Sequence, residues 1–210
     1  MSIRLSLFAV VAALLTSISP TFAAGDIAKG EALSQTCLGC HGVPGLRNAS
    51  PVYRVPMIGG QHASYLANAL KAYKNKERSH PTMRAQAANL SDADIQNIAA
   101  YFESLKQPSK PFVKAGASAG KELAANCAAC HGIDGKADSD LAMTSGYPSL
   151  AGQYDDYLER VLLDYKSGAR ENAIMGGFAK GLSKQDIKKL ARWFRSQSGT
   201  LNAPVIASKK

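Results

Sequence analysis

Apolar residues recur at helical spacing along most of the chain and nowhere alternate like a strand. After Gln61, the residues Tyr65, Leu66, Ala69, Leu70 and Tyr73 share one helical face, and after Gln153 so do Tyr157, Leu158, Val161, Leu162 and Tyr165. Two later stripes, Ile95, Ile98, Ala99 and Phe102, then Ile187, Leu190, Ala191 and Phe194, each follow a serine with an aspartate three residues on. Ser91 with Asp94, and Ser183 with Asp186, therefore predict capping boxes in which Asp replaces Glu. Short helical segments are also predicted around Ile27 to Thr36 and Ala119 to Asn126. The pattern predicts an all-α fold, and these stripes are core.

The two halves of this pattern are copies. Gly30, Leu33, Cys37, Cys40, His41 and Gly42 reappear 90 residues later as Gly120, Leu123, Cys127, Cys130, His131 and Gly132. Past a two-residue insertion the offset is 92: Pro56, Gly60, Gln61, Tyr65, Arg78 and Met83 become Pro148, Gly152, Gln153, Tyr157, Arg170 and Met175. The intervening KQPSKPFVKAGASAG reads as a linker. The expected division is a first domain over 25–107, a linker over 108–114, a second domain over 115–198 and a flexible tail over 199–210, because SQSGTLNAPVIASKK lacks periodicity.

Between His41 and Gln61, and between His131 and Gln153, the chain holds Gly and Pro and shows no helical period. Loops this long in domains this small need something to pack against, and so thin a core needs a staple. A large, flat, apolar, metal-bearing group answers both needs.

The first residues change the compartment. Arg4 precedes an apolar run from Leu5 to Leu15, which Thr16, Ser17 and Ser19 break before small residues at Ala23 and Ala24. The run is shorter than the roughly 20 residues of a membrane span, so residues 1–24 read as a secretory signal peptide and the mature chain is expected in the periplasm. The net charge of +9 is spread evenly, with ten basic and six acidic residues from Gly25 to Lys110, and fourteen and ten from there to Lys210. This balance favours docking on acidic protein surfaces, with weak association at anionic membranes. Nucleic acid is not an expected partner, since no dense basic block with interleaved aromatics is present.

The chemistry lies in a doubled C-x-x-C-H pattern, Cys37-Leu38-Gly39-Cys40-His41 and Cys127-Ala128-Ala129-Cys130-His131, which reads as c-type haem attachment. Two thiols at this spacing add to the two vinyl groups of one porphyrin, and the adjoining histidine ligates its iron. All four cysteines are thereby used. A thioredoxin-like pair wants a βαβ context, and zinc wants two C-x-x-C pairs on one metal; here each pair has its own repeat and its own histidine. The expected cofactors are two covalently bound haem c groups.

For the opposite face of each iron the repeat selects Met83 and Met175, the only internal methionines that correspond between copies. They follow their histidines by 42 and 44 residues, far enough to come round to the other side, and thioether ligation raises the reduction potential. The alternative is a methionine filling core space. His80 competes in the first domain, but its counterpart is Asn172, so a surface or loop role is expected for it; the same holds for His62, opposite Tyr154.

With both haem motifs, P-x-[IL]-x-G-Q, the Tyr-Leu helix, the late Met and the L-S-x-x-D-I segment in place, the mature chain resembles the cytochrome c4 family over essentially its whole length. The resemblance implies two tandem class I cytochrome c domains, propionates near the interface between them, and a periplasmic electron carrier serving terminal oxidases. It also implies that Pro56 and Pro148 lend their carbonyls to the Nδ1 protons of His41 and His131, unless they are simple turn prolines. Arg78 and Arg170 face propionates or are solvated helix ends. With both axial positions filled, outer-sphere electron transfer follows, not enzyme catalysis. The expected partners of this monomer are redox proteins: a membrane oxidase or reductase and a periplasmic electron donor. The alternatives are an electron-accepting subunit of a larger dehydrogenase, such as a flavocytochrome, and a dihaem peroxidase, against which the paired methionines argue.

Overall fold

The computed structural model describes residues 25–109, 111–112 and 115–205. The expected signal peptide over 1–24, parts of the expected linker and the last residues of the tail lie outside the described residues.

The first domain runs α1 (Ile27–Leu33), α2 (Gln35–His41), α3 (Ala63–Lys74), α4 (Pro81–Ala87) and α5 (Asp92–Ser104). The second opens with a 3-10 turn (Ala117–Gly120), α6 (Lys121–Ala124), a second 3-10 turn (Ala125–Cys127) and α7 (Ala128–His131). It continues through α8 (Asp140–Ser145), α9 (Asp155–Ser167), α10 (Ala173–Lys180) and α11 (Lys184–Arg195). Among the described residues there is no strand, only isolated bridges at 47/54, 59/202 and 78/170.

Both capping boxes form: Ser91 accepts from the Asp94 N–H and Ser183 from the Asp186 N–H, with each aspartate reaching back. All eight residues of the two later stripes are buried. Each fully buried Ile or Phe among them contributes roughly 1.5–3 kcal/mol. The copies also repeat a helix crossing. A Cβ on Gly30 would lie 2.0 Å from the Asn97 carbonyl oxygen of α5, and one on Gly120 would lie 2.3 Å from the Lys189 oxygen of α11. Only glycine lets these backbones touch.

Gly60 and Gly152 each take φ 76°, a left-handed conformation that glycine adopts without strain. Their N–H groups donate to Phe102 and Phe194, both at 2.8 Å. The turn after each proline is thereby anchored on the end of its last helix, which aims Gln61 and Gln153 across to the other domain.

Two expectations need correction. The stretch between His131 and Gln153 is not wholly irregular: Ser139 caps α8, and Gly146 in the left-handed region ends it. A helix of six residues is too short to display a period. The expected flexible tail is also packed as far as residue 204. Leu201 is 1% exposed, Asn202 exchanges backbone hydrogen bonds with Gly59 at 3.0 and 3.1 Å, and its side-chain amide donates to the Leu105 carbonyl at 2.7 Å. These partners lie in the first domain, so no local periodicity announces them.

Candidate functional site

In each domain the motif histidine closes a short helix and is buried, 8% exposed for His41 and 6% for His131. The His41 Nδ1–H donates to the Pro56 carbonyl at 2.8 Å, and the His131 Nδ1–H to the Pro148 carbonyl at 2.9 Å. A carbonyl only accepts, so Nδ1 carries the proton and Nε2 keeps the lone pair that binds metal. Burial lowers the pKa of both imidazoles, against a partial rise from the proline carbonyls, and keeps both neutral as ligation requires.

None of the four cysteines is in a disulfide. Burial raises the thiol pKa of Cys37 and Cys127, the reverse of the depressed thiols that mark redox-active pairs.

The methionines sit in equivalent places. Met83 and Met175 each lie in the first turn of a short helix, their own backbone N–H held by the N-cap side chain three residues earlier. In α4 the Met83 N–H donates to His80 Nδ1 at 3.3 Å; in α10 the Met175 N–H donates to Asn172 Oδ1 at 2.9 Å. A cavity of about 560 Å³ brings Cys127, Cys130, His131 and Met175 together and crosses the interface to Tyr65 and Arg78.

At that crossing the guanidiniums of Arg170 and Arg78 both donate to the Tyr65 hydroxyl, at 3.1 and 3.3 Å. Arg170 is buried, so it is not a solvated helix end, and its Nε has no partner. Burial works against the Arg170 charge, yet Tyr65, Tyr157, Tyr165 and Tyr73 hold its pKa well above the ordinary value. Burial alone would raise the Tyr65 phenol, but the two guanidiniums draw it down to about 7. The cluster carries surplus positive charge and calls for anions.

Haem c fits this donor set. Thiols, a neutral imidazole and a thioether line one cavity, the vinyl, iron and carboxylate groups of the porphyrin match them by chemistry, and an orphaned guanidinium nitrogen waits for a carboxylate.

The residues that the sequence underrates lie at the interface. His62 is buried, not at the surface, and its Nδ1–H donates to the Tyr147 carbonyl at 2.9 Å. Its counterpart Tyr154 accepts from the Gly45 N–H at 2.9 Å. Arg54 pairs with Asp155 and, at 2.9 Å, with Asp156. Gln61 and Gln153 recur in the repeat, which is a signal, but their partners lie 88 and 96 residues away.

The cytochrome c family model matches twice, over residues 27–106 and 117–198. Cytochrome c4 of Pseudomonas aeruginosa is 34% identical over 183 residues, covering 82% of this chain and 89% of that protein. This chain belongs to the cytochrome c4 family. The crystal structure of reduced recombinant cytochrome c4 from Pseudomonas stutzeri superposes with a TM-score of 0.71 at 31% identity, over 83% of this chain and all of that one. The thiosulfate dehydrogenase electron acceptor of Stutzerimonas stutzeri is 30% identical over 203 residues, 88% of this chain and 91% of that protein. As a member of this family, the chain is a dihaem electron carrier with two covalently bound haem c groups, held in two tandem cytochrome c domains.

Proposed function

We propose that this chain carries single electrons in the periplasm from a periplasmic donor to a membrane terminal oxidase, with a histidine and a methionine to hold each iron. When bound, each haem supplies a one-electron ferric/ferrous couple. Cys37 and Cys40, and Cys127 and Cys130, hold the two groups by thioether bonds. His41 and His131 would bind each iron through Nε2, oriented by the Nδ1–H donations to Pro56 and Pro148. Met83 and Met175 would supply a thioether sulfur to each iron.

The observation that carries this reading is the gathering of Cys127, Cys130, His131 and Met175 around one cavity, with Met83 capped in the same way in the first domain. With a histidine and a methionine held on each iron no coordination site would remain for a substrate, so the chain would position and tune the groups and not itself be an enzyme. The leader pattern of the first 24 residues supports the periplasm. Among the described residues no helix is long and apolar enough to cross a membrane.

A second reading, the electron acceptor of a dehydrogenase, is favoured by the likeness to the Stutzerimonas stutzeri acceptor. In the purified holoprotein, Met83→Ala and Met175→Ala should each remove about half of the methionine-to-ferric-iron absorption band; an unchanged band overturns the ligand assignment. Stopped-flow mixing of the reduced protein with oxidase-containing membranes, and of the oxidised protein with a thiosulfate dehydrogenase and its substrate, separates the two roles. Fast oxidation by the membranes alone supports the carrier; fast reduction by the dehydrogenase alone supports the acceptor.

A further inference from the structure

Two buried glutamines, each 3% exposed, clasp the domains in a reciprocal pattern. Gln153 Oε1 accepts from the Met57 N–H at 3.1 Å, and its Nε2 donates to the Met57 carbonyl at 2.8 Å. Gln61 Oε1 accepts from the Ser149 N–H at 2.9 Å, and its Nε2 donates to the Ser149 carbonyl at 3.0 Å. Each Oε1 also accepts from the next residue of its own chain segment, His62 N–H at 2.9 Å or Tyr154 N–H at 3.0 Å, which fixes the orientation of the amide.

The peptide groups so gripped are the ones that face the proximal histidines. The Pro56 carbonyl and the Met57 N–H are two ends of one peptide unit, and the Pro148 carbonyl and the Ser149 N–H are two ends of another. One end of the first unit accepts from His41, and the other donates to Gln153 of the second domain. One end of the second unit accepts from His131, and the other donates to Gln61 of the first domain.

We propose that each interdomain glutamine tunes the iron of the opposite domain, acting through a single peptide group on the proximal histidine. The inference rests on His41 and His131 being the iron ligands. Peptide resonance couples the two ends of the unit. Donation from its N–H to the glutamine increases negative charge on its carbonyl oxygen, and hydrogen bonds in such a chain strengthen one another. A stronger carbonyl acceptor draws the Nδ1 proton and makes the imidazole more basic. A more basic ligand favours ferric iron and lowers the potential. Gln61 and Gln153 are thus positioning residues whose effect is crossed: Gln61, in the first domain, lowers the potential of the second haem, and Gln153 lowers that of the first.

The test uses the holoprotein. A redox titration followed by NMR, with the Met83 and Met175 methyl resonances each reporting its own iron, resolves the two potentials. Gln61→Met should raise the potential of the haem at Cys127 and Cys130, increasing its ferrous-to-ferric ratio at the wild-type midpoint roughly two- to tenfold. The haem at Cys37 and Cys40 should move by less than half as much. Gln153→Met should give the mirror result. Gln61→Glu keeps an acceptor facing the Ser149 N–H and should return the second potential to the wild-type value or below. A shift confined to the substituted domain, equal shifts in both, or no shift overturns the proposal. Absence of shifted methionine methyl resonances from the wild-type protein would instead strike the ligand assignment itself. Should one glutamine variant fail to assemble, the other decides, because the two predictions are independent.

Discussion

Arg170 of the second domain donates to the Tyr65 hydroxyl of the first at 3.1 Å, and the two residues lie at the centre of a cluster with two guanidiniums sharing one phenol. Positive charge buried where the two domains meet would destabilise the ferric state of an iron held in either. Arg170→Met should therefore lower both potentials. An effective dielectric constant near 20 gives on the order of 1–2 kcal/mol at about 10 Å, or roughly 40–90 mV for a one-electron couple. Spectroelectrochemical titration reads the shift, and a rise in either potential would contradict the expected charge effect.

The repeated glycine crossing is tested by adding one carbon. A Cβ at Gly30 meets the Asn97 carbonyl oxygen at 2.0 Å, and backbone cannot swing aside as a side chain does. Gly30→Ala should force α1 off α5 and destabilise the first domain by about 1–3 kcal/mol or more. Gly120→Ala should do the same to the second. Guanidinium titrations of the holoprotein measure both, and a loss below about 0.5 kcal/mol would show that the helices yield cheaply.

His80 and Asn172 perform one task with different chemistry. His80→Ala strips the acceptor from the Met83 N–H and should cost about 1 kcal/mol, seen as earlier thermal loss of the first domain's methionine band. His80→Asn, which copies the second domain, should restore the wild-type midpoint. Asn172→Ala should affect the Met175 band alone.

Much of this architecture is legible in the chain because it is local. The capping boxes at Ser91 and Ser183 involve residues three apart, and the stripes from Ile95 and Ile187 lie within single helices. The haem motifs are local too, and comparing the copies picks out Met83 and Met175. The interface is not legible in this way. His62 and Tyr154 look like ordinary polar residues at helix starts until the other domain supplies Tyr147 and Gly45. Gln61 is visible as a repeated letter, yet its chemistry depends on a peptide group 88 residues away. The tail reads as loose for the same reason, since Leu201 is buried by distant neighbours and has no periodic company of its own.

The packing of residues 199–204 against the first domain has a consequence for the order of assembly. Thr200 reaches Gly60 across 140 residues of chain, and Asn202 lies against Gly59. A ribosome makes this segment only after both bundles have been synthesised. The domain that is begun first is therefore the one that must wait for its last piece, and a nascent or truncated chain that stops short of Thr200 leaves the Gly59–Gly60 turn uncovered.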